Sequence, residues 1–343
     1  MSTTQSHAGT LLVGHRDVLA LLPMSECIEA MTDALRTLAQ GGAILPLRQV
    51  VRLPDGRNAF AVMPAALEQP SALGAKVITV FPGNDATPYD SHQGAVLLFD
   101  LEYGRLIAIL DASTITGLRT AAVTAVATRL LSRPESRTLA LLGAGVQAAT
   151  HLESVSLVRP IRDVRVWSRS GERARRFVER VAGSGVNIVA CATAREAVDG
   201  ADVVCTVTSS REPVVSREWL APGTHVNAVG ASLPTARELD SATIAAARLF
   251  VDRRESATHE AGDFLMPKRE GLVGDDHIVG EIGELLVDTP RIAGRRSADE
   301  LTVFKSLGLA IEDVAAARRI YDRAVATGAG SWVDIGGLRD ADA

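Results

Sequence analysis

The sequence predicts an α/β protein in which a parallel-sheet domain is inserted into an α+β domain. Three observations carry that prediction. Between residues 47 and 111 the apolar runs are joined by two tight-turn signals. From 138 to 252 β-rich runs alternate strictly with helical spacing. A last helical pattern follows a polar, Arg-rich stretch at 291–297. At 343 residues the chain exceeds what one core usually holds, so about two domains are expected. Apolar residues make up 47% and charged residues 22%, the balance of a folded chain. Aromatics are only 4%, so the core must be aliphatic.

A net charge of −5 argues against nucleic acid or an anionic membrane as the main partner. No apolar run approaches the roughly 18 residues that span a bilayer. Met1 to Thr10 is polar, without the basic start of a secretory signal. Cys27, Cys191 and Cys205 are far apart and odd in number, which fits a reducing compartment, so a cytoplasmic protein is expected. Without a CxxC or HExxH pair, no metal site is expected.

Ser25 to Gln40 reads as a helix, with Ile28, Met31, Leu35 and Leu38 in helical period, Ser25 as its cap and Gly41-Gly42 as its stop. Arg48–Leu53 and Asn58–Met63 flank Pro54-Asp55-Gly56, a hairpin signal. Ala75–Phe81 is β-rich, and Gly94–Leu101 and Leu106–Asp111 flank a second turn. Consecutive hairpins imply an antiparallel sheet. Helical spacing returns from Thr116 to Leu131 and stops before Pro134. Strands then fall at Thr138–Leu142, Val164–Trp167, Val186–Ala190, Ala201–Val207, His225–Val229 and Leu249–Asp252. Helices from Gly145, from Gly171 and through Ala197 separate the first four. Such alternation predicts a parallel, doubly wound sheet. Val314, Ala317, Tyr321 and Val325 share one face of a final helix.

Gly143-Ala144-Gly145-Val146-Gln147-Ala148 is a GxGxxA turn after an apolar strand and before a helix. Gly143 allows the tight turn, Gly145 lets a pyrophosphate approach the backbone, and Ala148 keeps helix and strand close. A NAD-selective site usually ends the next strand with an acid. Here that strand ends Ser168-Arg169-Ser170, and a guanidinium suits the 2′-phosphate of NADP. A solvated loop arginine is the alternative, since Arg173, Arg175 and Arg176 follow.

Three cations face directions that need a reason. Lys76 shares a strand face with Ile78 and Val80. Arg119 shares a helix stripe with Ala122, Val123 and Val126, close to the expected N-terminus, where a cation is misplaced without an anion. Arg48 opens the first hairpin. They read either as structural ion pairs or as a clamp for a small carboxylate. With a dinucleotide, the clamp points to an amino- or oxo-acid oxidoreductase.

The chain resembles the ornithine cyclodeaminase/mu-crystallin family over nearly its whole length. The carrying segments are Gly74-Ala75-Lys76-Val77, Leu118-Arg119-Thr120-Ala121-Ala122, the glycine turn, Asn227 to Ser232, Gly280 to Glu284 and Val303 to Gly308. The resemblance implies a Rossmann-type NAD(P)-binding domain over 123–302, inserted into a substrate-binding and dimerisation domain formed by 1–122 with 303–343, and it implies a homodimer. Cyclodeaminases of the family carry an aspartate where this chain has Ser232, so the resemblance leans toward the NADPH-dependent ketimine and pyrroline-2-carboxylate reductases, with NADH also possible. The expected substrate is a cyclic imino acid, Δ1-pyrroline-2-carboxylate or Δ1-piperideine-2-carboxylate.

By that resemblance Arg48, Lys76 and Arg119 hold the carboxylate, and Lys76, Glu255 or solvent supplies the proton. The dinucleotide is expected to meet Ser91, His92, Arg119, Thr120, Gly143, Gly145, Val146, Gln147, Ser168, Arg169, Ser170, Thr206, Val207, Val229, Ser232 and Ser306. The competing readings are an ornithine cyclodeaminase, an alanine-dehydrogenase-like enzyme, and a non-catalytic crystallin-like protein that binds NADPH.

Overall fold

The computed structural model describes residues 9–290 and 292–337. Residues 1–8, Arg291 and residues 338–343 lie outside it, and with them most of the polar N-terminal segment and the first residue of the Arg-rich stretch. In chain order the elements begin with strand β1 (Thr10–Val13), helices α1 (His15–Leu21) and α2 (Met24–Ala39), and strands β2 (Ala43–Ile44) and β3 (Gln49–Arg52). Strands β4 (Ala59–Leu67), β5 (Ala72–Val80), β6 (His92–Phe99) and β7 (Leu106–Asp111) lead into helix α3 (Ala112–Leu131). Next come β8 (Thr138–Leu142), α4 (Val146–Val158), β9 (Asp163–Trp167), α5 (Gly171–Arg180), β10 (Asn187–Ala190), α6 (Ala194–Val198) and β11 (Val203–Thr206). They are followed by β12 (His225–Ala228), α7 (Ser241–Ala246), β13 (Arg248–Val251), α8 (Arg254–Glu260), α9 (Gly262–Arg269), β14 (Ile278–Glu281) and β15 (Thr302–Lys305). Helix α10 (Ala310–Thr327) and strand β16 (Ser331–Val333) come last.

Two compact units result, one from residues 9–119 with 309–337 and the other from 120–308. In the first, β4 to β7 form an antiparallel meander, and β1 joins β7 in parallel, so the sheet is mixed rather than wholly antiparallel. The first hairpin turns where expected, because Asp55 Oδ1 accepts the amides of Arg57 and Asn58, each at 2.9 Å. Helix α2 starts one residue earlier than expected, after Pro23, and Ser25 lies inside its first turn instead of capping it. Alternate residues of β4 and β5 are buried, and α10 packs on that side. A Cβ on Gly74 would stand 3.2 Å from Val314 Cγ2 and 2.4 Å from Leu97 O, so only glycine lets helix and strand approach here. Val314 and Ala317 are buried in that contact. Tyr321 and Val325 are only half-buried, because the buried stripe runs on through Ile320 and Ala324.

The second unit is an all-parallel sheet in the order β10-β9-β8-β11-β12-β15-β13-β14. Leu139 and Leu141 of β8 enter one core with Ala148, Val155 and Phe177, while Ala140 and Leu142 enter the other with Val204, Val226 and Phe264. Both cores are chiefly aliphatic, as the composition requires. Residues 303–308, expected with the first domain, belong here instead: Val303 and Phe304 are fully buried in β15, which hydrogen-bonds between β12 and β13. The strand order reverses between β8 and β11, the position at which ligands bind in open α/β sheets. Among the described residues no helix is long and apolar enough to cross a membrane.

Candidate active site

The first unit buries two of the three candidate cations. Lys76, in the middle of β5 between Met63 and Val96 of the neighbouring strands, is 1% exposed, and Arg119 is 4% exposed. Lys76 Nζ lies 2.7 Å from Asp313 Oδ2 and makes a long contact of 3.5 Å to Thr116 Oγ1. Arg119 donates from Nε to Asp313 Oδ1 at 2.9 Å and from Nη1 to Glu312 Oε2 at 2.6 Å. Its Nη2 has no hydrogen-bond partner among the described residues. Both cations are therefore ion-paired, yet one donor edge of the guanidinium is left for a ligand.

Arg119 does not stand at a helix N-terminus, contrary to expectation. Helix α3 starts at Ala112, four residues earlier than expected, so Arg119 lies past its second turn rather than at its end. The anions that its placement demanded come from the first turn of α10. Glu312 and Asp313 are fully buried and were absent from the sequence-based site. Two adjacent acids opening an Ala- and Val-rich helix are the signal for them: they also read as ordinary helix-start carboxylates, and only tertiary packing distinguishes the two.

Burial pushes the Lys76 ammonium down to about 8, helped by the Arg119 and Arg48 charges and opposed by Asp313. Arg48 is half-buried just ahead of β3, close enough to add a third positive charge to the group. His92 stands in the same field: desolvation, with the Lys76 and Arg119 charges, lowers its imidazole to about 4. Its Nδ1 meets Ser91 Oγ at 3.0 Å, and its carbonyl accepts from Ser113 Oγ. Arg48, Lys76, Ser91, His92 and Arg119 thus gather in one unit, with the Asp313 and Glu312 carboxylates between the two buried cations.

The second unit holds the glycine turn. Gly143 has φ +124°, and a Cβ there would meet Val207 O at 2.6 Å, so the turn requires glycine and Val207 packs directly on it. At Gly145 a Cβ would find nothing within 4 Å: the backbone opens onto free space at the N-cap of α4. Gln147, the second residue of α4, has its Oε1 buried without a hydrogen-bond partner among the described residues. An open backbone at a helix N-terminus fits a pyrophosphate. Val146 is exposed on the same turn.

The loop after β9 carries Ser168, Arg169 and Ser170. Arg169 is exposed and makes no ion pair among the described residues, whereas Ser170 caps α5 by accepting from the Arg173 amide. Thr206 is buried and donates its hydroxyl to Glu238 Oε2 at 2.8 Å, so its contribution to a pocket is backbone. The Val229 amide donates to Thr206 O at 3.0 Å, and that of Ser306 to Ala228 O at 3.0 Å, which ties these strand ends together. Thr120 is buried and Ser232 half-buried. Glu255 is exposed at the start of α8 and ion-pairs with Arg253.

The profile described as the ornithine cyclodeaminase/mu-crystallin family matches residues 10–328. The ketimine reductase mu-crystallin of Mus musculus is 44% identical over 284 residues, covering 82% of this chain and 86% of the mouse protein. The structure of Thermococcus litoralis Δ1-pyrroline-2-carboxylate reductase, in complex with NADH and L-proline, superposes with a TM-score of 0.92 at 36% identity, over 94% of this chain and all of that one. An archaeal alanine dehydrogenase dimer with bound NAD gives a TM-score of 0.89 at 32% identity, over 95% of this chain and 99% of that one.

Proposed function

Because the chain belongs to the ornithine cyclodeaminase/mu-crystallin family, we propose that it reduces a cyclic imino acid, Δ1-pyrroline-2-carboxylate or Δ1-piperideine-2-carboxylate, to L-proline or L-pipecolate. The observation that carries the reading is the buried pair of Lys76 and Arg119 with Arg48 nearby, in which Arg119 Nη2 is left to donate to one small carboxylate. When bound, a reduced dinucleotide supplies the hydride for the C=N carbon. Arg48 and the open edge of Arg119 bind the carboxylate and fix the ring, a contribution of positioning. Lys76 protonates the ring nitrogen, since an imine accepts hydride well only as its cation. Glu255, exposed and paired with Arg253, is the weaker candidate for that proton.

Gly143, Gly145, Val146 and Gln147 would cradle the pyrophosphate, with Val207 and Val229 beside the turn. The unpaired Arg169 favours NADPH, although the Thermococcus relative holds NADH. Ser232 lacks the charge that an amine-binding aspartate would bring, which weighs against cyclodeamination. The sheet of the first unit carries Phe60, Val62, Ala75, Val77, Leu97 and Phe99 on the face away from α10, exposed or half-buried. An apolar sheet face of this kind suits a second copy of the chain, and the similar archaeal alanine dehydrogenase is a dimer. Three free, buried cysteines suit the cytoplasm.

Two substitutions test the clamp. Arg48→Ala and the near-isosteric Lys76→Met should each cut imine reduction about 10–100-fold, the worth of a charge-assisted bond, and leave NADPH affinity within about threefold. Full activity in both variants would remove the clamp.

A further inference from the structure

Of the 36 basic residues in the chain, lysine occupies only positions 76, 268 and 305. Lys268 lies on α9 at the surface, paired with Asp275, and Lys305 is buried against Asp263 and the Ala228 carbonyl in the second unit. Lys76 is buried beside an arginine. Arginine keeps its proton under all ordinary conditions, whereas a lysine can release one. In a chain where 33 of the 36 cations are arginine, a buried lysine next to Arg119 marks a position that needs a transferable proton as well as a charge.

One carboxylate joins the two cations. Asp313 places Oδ2 at 2.7 Å from Lys76 Nζ and Oδ1 at 2.9 Å from Arg119 Nε, so each oxygen serves a different partner. Glu312, the next residue back on α10, accepts from Arg119 Nη1 and leaves Nη2 open. We infer that Asp313 is the positioning residue of this site: it sets the spacing between Lys76 and Arg119 and holds Lys76 in the ammonium form that gives its proton to the imine nitrogen. The inference rests on the imine-reductase reading above. In the step, an Nζ–H bond of Lys76 breaks and an N–H bond forms on the ring nitrogen. The ring carbon takes the hydride of the reduced dinucleotide, and the neutral Lys76 amine recovers its proton from water.

The charged and titratable groups around Lys76 are Asp313 and Glu312 from α10, Arg119 from α3, Arg48 ahead of β3 and His92 from β6. Met63, opposite on β4, does not titrate. Burial, Arg119 and Arg48 all favour the neutral amine, and Asp313 is the group that opposes them. Remove its charge and the lysine must lose its proton at lower pH.

The lysine count makes the test direct, because protein labelled with 13C at lysine Cε gives three signals to follow against pH. In Asp313→Asn the Lys76 midpoint should fall by about one unit or more while the Lys268 and Lys305 signals stay in place. The alkaline limb of kcat/KM should move by the same amount, giving about tenfold loss at high pH and little loss at low pH. An unmoved midpoint, or a loss equal at every pH, would overturn the inference. Should Asp313→Asn not fold, Asp313→Glu is read instead. It keeps the charge and the midpoint but respaces the cations, so KM for the imine should rise about fivefold or more with kcat nearly kept; an unchanged KM would overturn the spacing role. The titration needs no substrate. A wild-type protein inert toward cyclic imines, with a Lys76 midpoint that still answers to Asp313, would sink the proposed function and with it the proton-transfer role. Imine turnover with an unresponsive midpoint would sink this inference alone.

Discussion

The Gly230 amide donates to Glu238 Oε2 at 2.7 Å, and a Cβ on Gly230 would stand 2.6 Å from Oε1 of the same carboxylate and 2.1 Å from Thr208 O. Glu238 is fully buried and also accepts from Thr206 Oγ1, the Thr208 amide and Thr208 Oγ1, at 2.8, 2.8 and 2.6 Å. One carboxylate thus fastens the ends of β11 and β12, the two strands that lead to Val207 and Val229.

Glu238→Gln should loosen those strand ends. Its amide nitrogen would face donors where an acceptor is needed, at a cost of about 1–3 kcal/mol. Thermal unfolding should fall by several degrees and NADPH binding weaken with it. Gly230→Ala, which drives a methyl into backbone, should do more. A variant as stable and as tight for NADPH as the parent would show that the clamp is idle.

Arg169→Asp addresses cofactor choice. The variant places a carboxylate where a 2′-phosphate would lie, so the ratio of NADH to NADPH dissociation constants should fall about tenfold or more. Calorimetric titration of both cofactors measures it. A ratio unchanged by the substitution would make Arg169 a plain surface residue.

Acid should destabilise the second unit through two histidines. His151 donates from Nδ1 to Gln147 O at 2.7 Å and His225 is bonded to Thr302 and Asn227; both are fully buried, and burial lowers them to about 4 and about 3. Since both folded values lie below the unfolded value near 6.5, the unfolded chain takes up protons first as pH falls. Their contribution is complete above about pH 6.5 and is lost below it, at about 2 kcal/mol each by pH 5. Unfolding temperature measured from pH 7 to pH 5 should drop accordingly, and a flat profile would mean that these rings accept protons in the fold.

Val77→Asp tests self-association. A charge on the sheet face that carries Phe60 and Leu97 should break the proposed dimer, so that the variant sediments as a monomer while NADPH binding persists. A dimer that survives the substitution must use another surface.

Periodicity and glycine placement made much of the molecule legible from its sequence. The glycine turn, its flanking strand and helix, and the β6–β7 hairpin all depend on local spacing and stand close to where spacing puts them, with β6 two residues earlier than expected. What escaped was non-local. β15 is four residues far along the chain, and only pairing with β12 and β13 makes it a strand of the parallel sheet. Asp313 lies 194 residues from Arg119 and 237 from Lys76, so no window along the sequence joins them. The misplaced cations did announce that anions had to exist; which ones was settled by the packing of α10 on β5.

The most direct measurement is the loss of NADPH absorbance with Δ1-pyrroline-2-carboxylate as substrate, run beside L-ornithine and beside pyruvate with ammonia. Rapid turnover of the imine, with none from ornithine and little from pyruvate, is the result that the buried Lys76–Arg119 site predicts. No turnover of either the five- or six-membered cyclic imine, or ammonia released from ornithine, would contradict it.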